Sequence, residues 1–323
     1  MKFPVTYSLV SSKAIEGDLI PLYNLPGTAK VLFIHQGIND TYLIATSEAK
    51  FILRIYRANW KTIDEVSAEL DLLLLLNDNG LSVSYPLSDK SGKLIQKMDC
   101  PEGMRFAVIF SHAPGEGLSC LNAESANLFG QYVGQLHNVT ANLKLEGLSR
   151  AYTVAEIVAS TKRALQLMTI NTGEAFERGE NIFYQLEKKL SNELLDNVRP
   201  GICHGDLHHE NIFLETTSGK ITLFDFDFCG HGYLIYDLGC FCRYERISQD
   251  NKVNFFEGYE KVRPLNQTEK EVLPYFEVLM RVFHLGARGV NADGIKNPKW
   301  LKADIESTIF DIDVQLSKII CGK

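Results

Sequence analysis

At 323 residues, 45% hydrophobic and 23% charged, the chain can bury the interior of a two-lobed or two-domain globular protein. Its net charge of −7, with no basic run and no interleaved aromatic stripe, argues against a nucleic-acid partner. No apolar run approaches the ~18 residues of a membrane span, so no membrane partner is expected. The seven cysteines are an odd number without a Cys-x-x-Cys pair and read as reduced thiols. Met1 to Tyr7 shows no apolar stretch of signal-peptide length, so the expected compartment is the cytoplasm.

Residues 11–25 place Ala14, Ile15, Leu19, Leu22 and Tyr23 at helical spacing behind Ser11 or Ser12 as N-cap. Residues 30–57 switch to strand chemistry: Val31 to Ile34, a turn at Gly37, Thr41 to Ile44, a polar turn at Ser47-Glu48-Ala49, and Phe51 to Tyr56. Thr62 and Glu65 form a capping box, and the helix behind them stops at Gly80. Asp89 to Gly92 is a hairpin turn between two short strands, and Phe106 to Phe110 is the last strand of this sheet. The breaker cluster His112 to Gly117 marks the domain boundary. Residues 1–111 are expected to form an N-lobe and 112–323 a C-lobe. Helices are expected at about 122–143, 153–170, 179–197 and from 235 to 321, with breaks near Pro264, Pro274 and 291–298. Only residues 202–227 interrupt the helical half, as strand, turn and strand.

That interruption carries the chemistry. It reads Cys203-His204-Gly205-Asp206-Leu207-His208-His209-Glu210-Asn211, then the apolar runs Ile212–Leu214 and Ile221–Phe224 around a hairpin turn, then Asp225-Phe226-Asp227. An Asp, an Asn five residues on and a second Asp at the end of the next apolar run are what metal-assisted phosphoryl transfer requires. One carboxylate accepts the proton of the attacking hydroxyl; an amide oxygen and a second carboxylate hold a hard divalent ion. Pairing of the two strands brings Asn211 and Asp225 together, with Asp206 toward the same space. Loop Asp and Asn residues also cap turns, but paired strands flanked by apolar runs favour the metal reading. His137, at the end of an amphipathic helix, reads as a hydrogen-bonded core residue. His208 and His209, adjacent in a turn, make a poor ligand set. Phe276–Val290 reads as a core face.

On His204-Gly205-Asp206 with Asn211, Phe224 to Gly230, and Tyr236-Asp237-Leu238, the chain resembles the protein-kinase-like phosphotransferases. It is most similar to their aminoglycoside phosphotransferase branch, with its choline, homoserine and methylthioribose kinases. The resemblance spans most of the chain and implies an α+β, two-lobed fold with an antiparallel-sheet N-lobe and a mainly helical C-lobe. It implies Asp206 as catalytic base, Asn211 and Asp225 as Mg²⁺ ligands, and Asp237 as a structural acceptor for the catalytic loop. It implies ATP as phosphoryl donor, with GTP equally open. Gly37 and Asn39 fall in the turn over the nucleotide phosphates, although that turn holds a single glycine. Arg54 stands where the family usually has Lys, with Glu69 as its helix partner and Lys50 as fallback. A guanidinium can serve both carboxylate and phosphate, but with different reach. Ile109 and Ser111 complete the nucleotide-binding set.

A small hydroxyl-bearing acceptor is favoured over a protein substrate on two grounds. Gly205 replaces the Arg that reads a phosphorylated activation loop in protein kinases, and eleven residues separate Asp225 from Asp237. A Ser/Thr protein kinase and a nucleotide-binding pseudokinase remain the alternatives. Asp227, Glu210, Glu245, Asp304 and Asp311 are expected to give the acceptor pocket an acidic lining, suited to an amine-bearing alcohol.

Overall fold

The computed structural model describes residues 3–167, 173–244, 246–290 and 298–322. The chain divides into two compact units, the first comprising Met1–Gly117, Leu145–Leu148 and Ile212–Phe224, and the second the rest.

In the first unit a helical run opens as α1 (Ser12–Ala14) and continues as a π turn to Leu19 and a 3₁₀ turn to Leu22. It is helical where periodicity placed a helix, but irregular. Pro21 lies within the 3₁₀ turn and supplies no backbone donor. Strands β1 (Lys30–Gln36), β2 (Asp40–Ala45) and β3 (Lys50–Ile55) follow, then helix α2 (Ile63–Asp78), β4 (Gln96–Cys100) and β5 (Gly103–Ser111). They form one antiparallel sheet in the order β1-β2-β3-β5-β4. Alternation decides its faces. Tyr42, Ile44, Leu53, Ile55, Ala107 and Ile109 bury one face against Ile15, Leu19 and Tyr23 of the helical run. Helix α2 begins at the expected capping box, with Thr62 and Glu65 satisfying each other's backbone N–H. Strand β6 (Glu116–Gly117) ends the breaker cluster.

The second unit opens with α3 (Ala123–Thr140), capped by Asn122, then β7 (Ala151–Tyr152), α4 (Val154–Leu167), α5 (Glu174–Lys189), the short α6 (Asn192–Leu195) and β8 (Pro200–Cys203). The chain then returns to the first unit as the hairpin β9 (Ile212–Glu215) and β10 (Lys220–Leu223), where β9 also pairs with β6. Back in the second unit, β11 (Gly230–Tyr233) pairs with β8 and β7. Helices α7 (Ile235–Cys242), α8 (Gln249–Val262), α9 (Gln267–Val290) and α10 (Pro298–Ile320) complete it. The break expected near Pro264 exists, but the one at Pro274 does not: α9 runs straight through it. Burial of Val272, Phe276, Leu279, Met280 and Phe283 along one face, at about 1.5–3 kcal/mol each, outweighs the ~3 kcal/mol cost of an interior proline. Of the break expected at 291–298, residues 291–297 lie outside the described residues and Pro298 opens α10. Among the described residues, no helix is long and apolar enough to cross a membrane.

Candidate active site

The loop after β8 is held by one carboxylate. Asp237, fully buried on α7, accepts the backbone N–H of His204 (2.8 Å) and of Gly205 (2.9 Å). Its Oδ2 also lies 3.2 Å from His137 Nε2, while His137 Nδ1 lies 2.9 Å from the Tyr259 hydroxyl. Burial outweighs the bonds to Asp237 and lowers the His137 pKa, so the ring is neutral. Nε2–H then donates to Asp237 and Nδ1 accepts from Tyr259. His137 is thus the hydrogen-bonded core histidine that its helix position predicted. Gly205 has φ +86°, and a Cβ there would collide with Phe228 O and the Tyr152 hydroxyl, so only glycine fits the turn.

This turn presents Asp206. Burial by itself would raise its carboxyl pKa. The hydrogen bond and charge of His208 and the charges of His284 and Arg243 prevail, holding it well below the usual carboxylate range. His208 Nε2 lies 3.4 Å from one carboxylate oxygen; Arg243 Nη2 lies 3.4 Å and His284 Nε2 3.8 Å from the other. The sequence reading missed Arg243 and His284, because the C-cap of α7 and helix α9 bring them from 37 and 78 positions away. Only His208 carried a signal, its place within the motif.

Asn211 is nearly buried, and its Nδ2 donates to the Asp206 carbonyl at 2.9 Å. That bond fixes the amide's orientation and turns Oδ1 away from Asp206 O. The β9–β10 register pairs Ile212 with Leu223, so Asn211 and Asp225 flank the open end of one hairpin, the turn lying at Thr216–Gly219. Asp225 sits at φ 66°, ψ 57°, a left-handed conformation uncommon for a residue other than glycine. A fixed amide oxygen and a carboxylate at this end are hard oxygen donors, and they fit a divalent cation such as Mg²⁺.

In the first unit, Arg54 Nη1 lies 3.3 Å from Glu69 Oε1 on α2, on the sheet face opposite the apolar cluster, as alternation predicted. Glu69 is fully buried and also meets Lys61 Nζ through Oε2 at 2.6 Å and the Tyr56 hydroxyl at 3.1 Å. Lys61 was not anticipated; it precedes the capping box in a stretch without periodicity. Lys50, the fallback, is exposed at the start of β3. Gly37 N donates to Asn39 O at 3.0 Å, closing the β1–β2 turn. The Asn39 side chain accepts from Arg57 N at 3.1 Å, and neighbouring Asp40 pairs with buried Arg105 at 2.6 Å. Ile109 points into the apolar cluster, and its carbonyl accepts from Leu87 N. Ser111 Oγ accepts from Tyr85 N at 3.0 Å.

Within the second unit a cavity of about 460 Å³ is lined by Arg243, Tyr244, Arg281, His284, Asp304 and Asp311, among others. Two of its walls, Arg243 and His284, are the residues beside Asp206. The five acids expected to line an acceptor pocket are placed differently from one another. Glu210 is committed to the Tyr244 hydroxyl (2.5 Å) and Arg246 (3.0 Å), and Asp227 is buried outside the lining. Glu245 lies outside the described residues. Asp304 and Asp311 do line the cavity, but together with three arginines and a histidine.

An antiparallel sheet carrying one helix in the first unit, and a His-Gly-Asp loop tied to a buried helical Asp in the second, define a protein-kinase-like phosphotransferase fold. The chain belongs to the phosphotransferase enzyme family, whose model matches residues 31–265. It is 25% identical over 272 residues to the amicoumacin kinase of Bacillus subtilis, covering 79% of this chain and 78% of that protein. It is 26% identical over 284 residues to the homoserine kinase of Gluconobacter oxydans, covering 83% and 84%. A solved amicoumacin kinase in complex with AMP-PNP and Ca²⁺ shares the fold, with a TM-score of 0.75 at 19% identity over 95% of this chain and 94% of the other.

Proposed function

We propose that this phosphotransferase moves the γ-phosphoryl group of ATP, or of GTP, onto the hydroxyl of a small acceptor, with Asp206 as base. The observation that carries the reading is the partly buried Asp206 carboxylate, 3.4 Å from Arg243 and 3.8 Å from His284, two residues that wall a cavity of molecular size. The acceptor oxygen bonds to the γ-phosphorus as the bond to the β–γ bridging oxygen breaks, and the nucleoside diphosphate leaves with that electron pair. The hydroxyl proton passes to Asp206. A carboxylate of low pKa is a weak base, which suits a loose transition state in which the hydroxyl loses its proton late. Asn211 and Asp225 would hold Mg²⁺, which when bound neutralises charge on the nucleotide phosphates. Arg54, oriented by Glu69, contacts those phosphates, and the Gly37–Asn39 turn lies over them.

The eleven residues from Phe226 to Tyr236 support a small acceptor over a protein. They are taken up by a 3₁₀ turn, by β11 paired on both edges, and by the start of α7. That leaves no length for a peptide-docking segment. Relatives that act on amicoumacin and homoserine point the same way. The test is nucleoside diphosphate release and a +phosphate product, by mass spectrometry, from purified enzyme, ATP, Mg²⁺ and a panel of alcohols. Asp206→Asn should lose about 10²–10⁴-fold in turnover while still binding nucleotide. Full turnover in that variant would remove Asp206 as the base.

A further inference from the structure

A sulfur, a nitrogen and an oxygen donor converge at Asp206, a set that phosphoryl transfer does not use. The donor atoms of Asp206, Cys240 and His284 all lie within 4.8 Å of one another, and His284 Nε2 stands 3.8 Å from Asp206 Oδ1. Ligands around a tetrahedral zinc ion sit about 3.3–3.6 Å apart, so side-chain movements of about 1 Å close the set. Cys240 lies on α7 and His284 on α9, two helices that pack on each other, so the core holds both donors in place. Cys240 is fully buried, and burial pushes its thiol pKa up, so without a metal it keeps its proton. A cation already reaches this corner: the Arg243 guanidinium is hydrogen-bonded to the Cys240 sulfur and lies 3.4 Å from Asp206 Oδ1. For a guanidinium and a carboxylate that is a loose contact, open to exchange for a better-fitting cation.

We infer that Asp206, Cys240 and His284 form a Zn²⁺ site, and that zinc bound there switches the enzyme off. A thiolate, an imidazole and a carboxylate are a ligand set that zinc takes and that Mg²⁺, which requires oxygen donors, does not. Bonds form from the ion to Cys240 Sγ, His284 Nε2 and Asp206 Oδ1, and the Cys240 proton passes to water. No electron is transferred. Ligation through His284 Nε2 leaves Nδ1 to its own hydrogen-bond partner, the usual arrangement of a metal-bound histidine. Arg243 gives up its place and turns into the cavity that it lines with His284, and a water from that cavity takes the fourth position. With Oδ1 on the metal, Asp206 no longer accepts the proton of the acceptor hydroxyl. The metal site stands on the geometry; only the inhibition rests on the kinase reading above.

The test has two arms. In the first, nucleotide-free protein is titrated with Co²⁺ alone, a stand-in for Zn²⁺ whose bond to a thiolate gives a near-ultraviolet charge-transfer band. The parent should develop the band and lose it when Zn²⁺ is added, and Cys240→Ala and Cys240→Ser should not develop it. In the second, phosphoryl transfer is followed at buffered free Zn²⁺ in excess Mg²⁺. The Zn²⁺ concentration for half-inhibition should rise about 10–100-fold or more in Cys240→Ala, Cys240→Ser and His284→Gln, because even a group that only orients a metal ligand is worth that much. Arg243→Gln should lower it, since the competing cation is gone. Both Cys240 variants should keep the parent's turnover in chelator, which separates loss of the zinc response from loss of folding; if neither folds, His284→Gln carries the comparison. Zinc acting only at the nucleotide inhibits every variant alike. No Co²⁺ band in the parent, or equal zinc sensitivity in the parent and these variants, overturns the inference while the kinase reading stands. No turnover with any acceptor overturns the kinase reading and the inhibition, and the Co²⁺ band then decides the metal site alone.

Discussion

Replacing Asp237 with Ala tests how the catalytic loop is held. Its fully buried carboxylate accepts two backbone N–H groups, from His204 at 2.8 Å and Gly205 at 2.9 Å, and faces His137 Nε2 at 3.2 Å. Alanine leaves these donors buried with no acceptor. Each orphaned donor costs about 1–3 kcal/mol, and mutual relaxation brings the sum to about 3–5 kcal/mol. For 323 residues at roughly 2.1 cal/mol/K of unfolding entropy each, that lowers Tm by about 4–7 °C if the chain melts in one step. Asp237→Asn keeps one acceptor oxygen but turns an NH₂ toward a donor, so about half that loss is expected. Differential scanning calorimetry measures the shift, and single-turnover phosphoryl transfer reports whether Asp206 is still presented. A Tm within 1 °C of the parent, with unchanged turnover, would refute the idea that this carboxylate supports the loop.

Glu69 is buried against both Arg54 and Lys61, so losing either cation leaves the other in place. Urea unfolding should show about 1 kcal/mol for Arg54→Ala or Lys61→Ala alone, and a double variant worse than their sum by about 1–3 kcal/mol; strict additivity would disprove the shared pair. Arg54→Ala should also weaken nucleotide affinity and rate together, whereas Arg54→Lys keeps much of both; full activity in Arg54→Ala moves the phosphate contact to another residue. Asn211→Ala and Asp225→Ala should raise the Mg²⁺ concentration needed for half-maximal rate, and an unshifted Mg²⁺ titration removes them as ligands. Because the folded-state pKa of His137 is depressed by burial, the unfolded chain binds its proton first as pH falls. Stability should therefore decline below about pH 6.5, by at most ~1.4 kcal/mol per pH unit for this one group. His137→Gln should flatten that slope in pH-dependent urea unfolding; an equal slope places the titration on other groups.

What the sequence determined by itself are the features written in short range. Period-2 alternation set the faces of β3, so Leu53 and Ile55 meet the apolar cluster while Arg54 turns to Glu69. The capping box fixed the start of α2 to the residue, because the box is a local exchange of two hydrogen bonds. The spacing of Asp206, Asn211 and Asp225 pointed to phosphoryl transfer, the chemistry of the family whose model the chain matches, and a loop and one hairpin are enough to set that spacing. Pro274 shows the limit of local rules: its propensity to break a helix is real but smaller than the burial of the face it sits on, and burial is set by distant residues. For the same reason tertiary structure alone decided the company of Asp206. Arg243 and His284 reach it from the C-cap of α7 and from α9, and no periodicity or spacing relates positions so far apart. The acids expected around an acceptor pocket divide on the same point, because a carboxylate's availability depends on its partner: Asp304 and Asp311 line the cavity, whereas Glu210 is bonded to Tyr244 and Arg246. A linear pattern shows which charges exist; only the folded chain shows which of them have already been neutralised.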